Sequence, residues 1–142
     1  GMPKAIVVRS AGGPEVLEWS DVELPPPKRR EVRVRHTAVG LNFIDVYQRT
    51  GLYPMPLPGI LGQEAAGVVE AVGREVKSFA PGDRVAYVLP SPGSYAEARN
   101  VPADRLVRVP GGVTDEQAAA SMLKGMTAQS LLRRTFRVKT GA

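Results

Sequence analysis

Side chains able to do covalent, metal or proton-transfer chemistry are scarce in this 142-residue chain: it has one histidine, His36, and no cysteine. Without cysteine there is no thiolate nucleophile, disulfide, zinc ribbon or iron–sulfur cluster. A protein zinc site takes three or four ligands, mostly Cys or His, and His36 with carboxylates alone is a poor supply. Gly62 to Gly67 has the glycine spacing of a phosphate loop, but Val68 and Val69 stand where the phosphate-binding Lys and Ser/Thr belong. No Gly-x-Gly-x-x-Gly follows a strand, so the dinucleotide fingerprint is missing, and His36 has no elbow serine to activate. Gly62, Gly67 and Gly73 read as tight turns and close backbone approaches around a strand.

The elements that would position any site are short strands separated by Gly/Pro turns. Ala5 to Val8, Glu31 to Val39, Ala66 to Val72, Arg84 to Val88, Tyr95 to Arg99 and Leu106 to Val109 read as strands. In the second of these, Val32, Val34 and His36 share one face, while Arg33, Arg35 and Thr37 share the other. His36 therefore reads as core or strand-edge packing. Pro25 to Pro27 and Pro54 to Pro58 mark loops. At residue 114 the period changes. Thr114-Asp115-Glu116-Gln117 reads as a capping box, and the run from Ala118 to Leu132 is helical in propensity with a break near Gly125. The chain thus divides into a β-rich body, 1–113, and a helical connector leading off its edge, 114–142. Gly1 ahead of Met2 reads as a tag remnant.

The totals suit one compact domain. The composition, 43% hydrophobic and 23% charged, is that of ordinary globular material. No apolar run approaches the ~18 residues of a membrane span, and no signal-peptide layout opens the chain, so a cytoplasmic protein without a membrane partner is expected. The net charge of +5 is not spread evenly. Residues 1–116 carry 14 basic and 14 acidic residues, and the excess comes from Lys124, Arg133, Arg134, Arg137 and Lys139. A nucleic-acid surface interleaves such a cluster with aromatics; here only Phe136 is near, and a solvated helix face is expected instead.

Several short motifs occur in register. They are Gly12-Gly13-Pro14-Glu15-Val16-Leu17, Gly40-Leu41-Asn42-Phe43-Ile44-Asp45-Val46-Tyr47, Arg49-Thr50-Gly51-Leu52-Tyr53-Pro54, Gly62-Gln63-Glu64-Ala65-Ala66-Gly67, Pro81-Gly82-Asp83-Arg84-Val85 and Gly93-Ser94-Tyr95-Ala96-Glu97. Gln117 to Ser121 and Leu123 to Ala128 complete the set. Together, over residues 4–140, they resemble the zinc-free, zeta-crystallin-like quinone oxidoreductases of the medium-chain dehydrogenase/reductase superfamily. Asn42 and Gln63 stand where the zinc-dependent branch places a cysteine and a histidine ligand. The short loop at Pro90 to Gly93 has no cysteine for a structural zinc.

The resemblance implies a mainly β fold with flanking helices, a GroES-like partly closed barrel, whose C-terminal helices lead toward a Rossmann domain that these residues do not include. It implies NADPH as cofactor, no zinc, a quinone or enone as substrate, and a homodimer when full-length. By motif, Phe43, Ile44, Asp45, Val46 and Tyr47 would flank the nicotinamide end, with Thr127 approaching from the following helix. Asn42, Tyr47, Tyr53 and Lys124 would be the catalytic donors to a substrate oxygen gaining charge. Both tyrosines also suit stacking on a flat ring. Plainer roles stand beside these. Asn42 caps the short helix from Phe43, Asp45 serves that helix's dipole, Tyr53 packs its loop, Lys124 ends a helix and Thr127 caps another. Glu64 is structural in this resemblance. The alternatives are a zinc-free enone or enoyl-thioester reductase, or a non-catalytic barrel that only binds. The 142 residues alone are expected to be inactive.

Overall fold

The alternation in Glu31–Leu41 produces the longest strand and the axis of the fold. In the computed structural model, which describes residues 2–121 and 134–137, this strand is β3. The order is β1 (Lys4–Val8), β2 (Leu17–Asp21), β3 (Glu31–Leu41), α1 (Phe43–Thr50), β4 (Gly59–Ile60), β5 (Glu64–Val72), β6 (Arg84–Val88), β7 (Ala98–Pro102), β8 (Leu106–Arg108), α2 (Asp115–Ser121) and β9 (Arg134–Arg137). A three-stranded sheet runs β2-β1-β4, and a six-stranded sheet runs β7-β3-β5-β6-β8, with β9 also on β3. Every pairing is antiparallel.

The two sheets meet where the 94–97 segment crosses β1. Ile6 N–H donates to the Tyr95 carbonyl at 2.8 Å and Glu97 N–H to the Lys4 carbonyl at 2.8 Å. The result is a mainly β body, curved but not closed, as the expected partly closed barrel requires. Val32, Val34, Val39, Val69, Val85 and Tyr87 fill its interior. None of the helices in the described residues is long and apolar enough to cross a membrane.

Of the segment after residue 113, the structure describes 114–121 and 134–137. The capping box forms as expected: Gln117 N–H donates to Thr114 Oγ1 at 3.0 Å, and Thr114 N–H to Gln117 Oε1 at 2.9 Å. But α2 lies on the sheet, its Ala118 and Ala119 packed against Ala38, Ala66 and Ala86. Alanines on both sides let helix and sheet approach closely. Asp115 fixes the helix start, accepting from Thr37 Oγ1 at 2.6 Å and from Arg84 Nη2 at 2.6 Å. Arg134–Arg137 form a strand on β3 rather than helix, with Gly40 opposite Thr135. Replacing Asp115 by Ala is expected to cost about 1–2 kcal/mol, since it removes the carboxylate partner of the part-buried Arg84 and Thr37, which keep only the Val113 and Ala66 carbonyls. An unchanged urea midpoint for Asp115→Ala would show that this anchor contributes nothing.

His36 is fully buried on β3 and has two partners that the sequence did not reveal. Its Nδ1–H donates to the Ala96 carbonyl at 2.7 Å, so Nε2 is the acceptor for the Tyr87 hydroxyl at 2.9 Å. Burial, with Arg99 nearby, holds the imidazole down to about 4 and keeps it neutral. Burial likewise pushes the Tyr87 phenol up to about 12.

Candidate active site

β3 ends at Leu41, and Asn42 leaves it with extended backbone to start α1. The helix closes after one further residue type is met: Gly51 takes φ 89°, the left-handed conformation that ends a helix and that a side chain disfavours. Gly12, in the turn after β1, ties that end down. Its N–H donates to the Arg49 carbonyl at 3.0 Å and its own carbonyl accepts from Arg49 Nε at 3.3 Å.

Asn42 occupies the cap position and also reaches sideways. Its backbone N–H donates to Asp45 Oδ2 at 3.0 Å, and its side-chain amide donates to Glu64 Oε1 at 3.1 Å. The helix-start position weighed from sequence is thus observed, and the side-chain amide spends one N–H on Glu64 with a second left over. Glu64 is fully buried. It fits because Gly40 opposite has no side chain: a Cβ there would overlap Glu64 Cγ and Oε1 and lie 2.6 Å from Cδ.

Phe43, Val46 and Tyr47, at i, i+3 and i+4, share one face of α1 and point outward, at 55%, 42% and 37% exposure. Tyr53 returns over this face: its ring meets that of Tyr47 edge-on, centroids 5.3 Å apart, and its N–H donates to the Tyr47 carbonyl at 3.1 Å. Packing of Tyr53 in its loop and presentation of an open ring are thus compatible, since it is 48% exposed. Ile44 is half-buried. Asn42, Phe43, Val46, Tyr47 and Tyr53 are brought to one corner of the molecule.

Asp45, expected among the residues flanking the nicotinamide, has its side chain turned inward and is 2% exposed. Its Oδ2 accepts the Tyr95 hydroxyl at 2.5 Å. Its place three residues after Asn42 puts the carboxylate back over the helix start and under the outward face. Burial pushes this carboxyl above the usual carboxylate range, although the Tyr95 and Asn42 bonds pull the other way. Lys124 and Thr127 lie outside the described residues.

Gln63, at the other position that separates the zinc-dependent branch, donates from Nε2 to the Pro90 carbonyl at 2.9 Å. Among the described residues, no three or more His, Asp or Glu side chains are gathered as metal ligands. The participants that sequence reasoning left out are Gly40 and Tyr95. Tyr95 stood inside one of the quoted motifs, but nothing in the sequence joined it to Asp45, 50 residues earlier.

Comparison with known proteins follows the same lines. Residues 28–111 match the alcohol dehydrogenase GroES-like domain. The chain is 54% identical over 141 residues to a quinone oxidoreductase of Pseudomonas aeruginosa, covering 99% of this chain and 43% of that protein. It is 44% identical over 147 residues to a 2-haloacrylate reductase of a Burkholderia species, covering 99% and 44%. The structure of the Escherichia coli quinone oxidoreductase complexed with NADPH superimposes with a TM-score of 0.83 at 45% identity, over 91% of this chain and 40% of that one. The chain spans less than half the length of the relatives it matches. It belongs to the alcohol dehydrogenase GroES-like domain family, homologous to quinone oxidoreductases.

Proposed function

We propose that these residues form the substrate-facing domain of an NADPH-dependent quinone oxidoreductase that works without a metal. The observation that carries the reading is the outward apolar corner of Phe43, Val46, Tyr47 and Tyr53 beside the Asn42 amide. A face of this kind, flat-sided and only partly desolvated, is what a planar ring and a nicotinamide need on one side. The homology to quinone oxidoreductases supports the choice of ligands. When bound, NADPH supplies the reducing equivalents, as hydride or electrons.

The roles left to this chain are binding and polarisation. The Tyr47 and Tyr53 rings stack on or edge against the quinone. The free Asn42 N–H, the two phenols and Lys124 donate to the carbonyl oxygen as it gains charge. Phe43, Ile44 and Val46 exclude water from the cofactor's nicotinamide end, and Thr127 meets it from the other side. Asn42 and Gln63 each spend an amide N–H on a protein oxygen, which suits hydrogen-bonding positions rather than metal ligands. The complete enzyme is proposed to be a cytoplasmic homodimer.

The test is a substrate panel on the complete enzyme with NADPH: simple quinones, enones, enoyl thioesters and 2-haloacrylate, together with elemental analysis. The expected result is the highest kcat/KM with quinones and no bound zinc. One zinc per chain would sink the metal-free reading. A preference for the enones or 2-haloacrylate would move the protein to the reductases of activated double bonds, the second reading, favoured by the 2-haloacrylate reductase relative.

A further inference from the structure

A surface helix normally buries its apolar stripe and turns its polar side to water. In α1 the two sides are exchanged. Phe43, Val46 and Tyr47 face out, and the buried residues are Asp45 and Gln48. A helix of eight residues is not stable by itself, and here apolar burial, limited to the half-buried Ile44, does little to hold it. Polar bonds at its two ends hold it. At the C-terminal end these are the Gly12–Arg49 pair already described. At the N-terminal end they converge on Asp45, which accepts from Asn42 N–H at 3.0 Å and from Tyr95 Oη at 2.5 Å. The second distance is that of a hydrogen bond to a charged or strongly polarised acceptor.

Tyr95 is itself fixed on the opposite side. Its carbonyl accepts from Ile6 of β1 at 2.8 Å, and its N–H donates to the Leu61 carbonyl at 2.9 Å. Its ring lies against Gly62, where a Cβ would come 2.5 Å from Cδ1. The hydroxyl is therefore a stationary point carried by the junction of the two sheets. Asp45 Oδ1 and Gln48 Oε1 find no hydrogen-bond partner among the described residues, so the underside of α1 has no polar bond in reserve.

We infer that Tyr95, acting through Asp45, is a positioning residue that sets the first turn of α1, and with it Asn42 and the outward apolar face. The inference rests on the functional reading above and names what holds that site in place. Tyr95 removes nothing from the reacting groups when it loses its hydroxyl; it lets the turn that carries them drift.

Two measurements test this. In the 142-residue chain without ligand, Tyr95→Phe is expected to raise amide hydrogen exchange at residues 42–46 about tenfold, leaving β3 and β5 unchanged. In the complete enzyme, Tyr95→Phe and Asp45→Ala are each expected to lower kcat/KM for quinone about tenfold. Asp45→Asn, whose amide oxygen accepts the same two bonds, is expected to recover to within about threefold of the wild type. Exchange in Tyr95→Phe that matches the wild type, or that rises equally in β3, β5 and α1, overturns the inference. So does an Asp45→Asn enzyme as impaired as Asp45→Ala. Absence of quinone reduction by the wild type sinks the functional reading alone, because the exchange comparison still decides whether Tyr95 sets the turn.

Discussion

Lowering the pH from about 7.5 to about 4 is expected to remove about 3 kcal/mol of stability through His36 alone. The unfolded chain takes up a proton on this imidazole near 6.5, whereas the folded protein resists until about 4, because the ring is buried between Ala96 and Tyr87. The folded-state value is depressed, so the stability is fully present above 6.5 and is lost as the pH falls toward 4. Protonating the ring in place is costly: it puts a charge in a buried site near Arg99, and the Tyr87 hydroxyl must turn from donor to acceptor. Asp45 works in the opposite sense. Its raised carboxyl favours the folded state when protonated, and that contribution fades as the pH rises from 3.8 through the folded value. The His36 share is therefore read as a difference. Urea unfolding of wild type and His36→Gln across the pH range should show their stability gap shrinking by about 3 kcal/mol toward low pH. A gap that stays constant would show that His36 does not resist protonation.

Gly40→Ala is the substitution with the next largest expected effect. Gly40 is buried in β3, one residue from the strand's end, with β9 alongside and the Glu64 side chain across it. An added methyl overlaps Glu64, and since Glu64 is fully buried its side chain has no solvent to retreat into. The expected loss is about 2 kcal/mol, in the range of core overpacking. The functional cost is separate: displaced Glu64 no longer receives the Asn42 amide, and the residue proposed to touch substrate loses its orientation. The check is a double-mutant cycle with Glu64→Ala. Removing the carboxylate opens the space, so Gly40→Ala should cost far less in that background. Equal costs in both backgrounds would mean that the glycine is needed for some other reason.

The elements legible from sequence are those whose burial has a simple period. β3 alternates because one face is core and the other is not. The capping box at Thr114 is local chemistry within four residues. β5 is legible from Ala66 onward, where Val68, Val69 and Val72 suit a paired strand, and it begins two residues earlier, at Glu64. The failures have physical reasons too. β2 is an edge strand of the small sheet, exposed at Leu17 and Trp19, so burial gave it no period. β7 lies at Ala98–Pro102 rather than from Tyr95, because Tyr95 and Ala96 pair with β1 and Glu97 bonds to both β1 and β3 before the chain runs along β3. β9 occupies Arg134–Arg137, beyond the helical run read to Leu132, where the edge of β3 beside Gly40 offers hydrogen bonds that local propensity does not register. Asn42, Phe43, Val46, Tyr47 and Tyr53 were singled out by motif, and the fold brings them to one corner. The burial of Asp45 was not legible because its charge near a helix start is equally suited to a dipole, a cofactor and a buried tyrosine, and only tertiary structure sets it against Tyr95.

The exchanged faces of α1 separate two kinds of selection. Phe43, Val46, Tyr47 and Tyr53 contribute little to folding, because they bury little in the domain itself. Asp45, which holds the helix from within, contributes nothing directly to what is recognised, because it does not reach the surface. Substitutions on the outer side can therefore accumulate, and change which flat acceptor is preferred, without lowering the stability of the body beneath. A division of that kind makes one scaffold a tolerant starting point for new substrates, in nature or in a mutant library, provided that Asn42, Asp45 and Tyr95 are left alone.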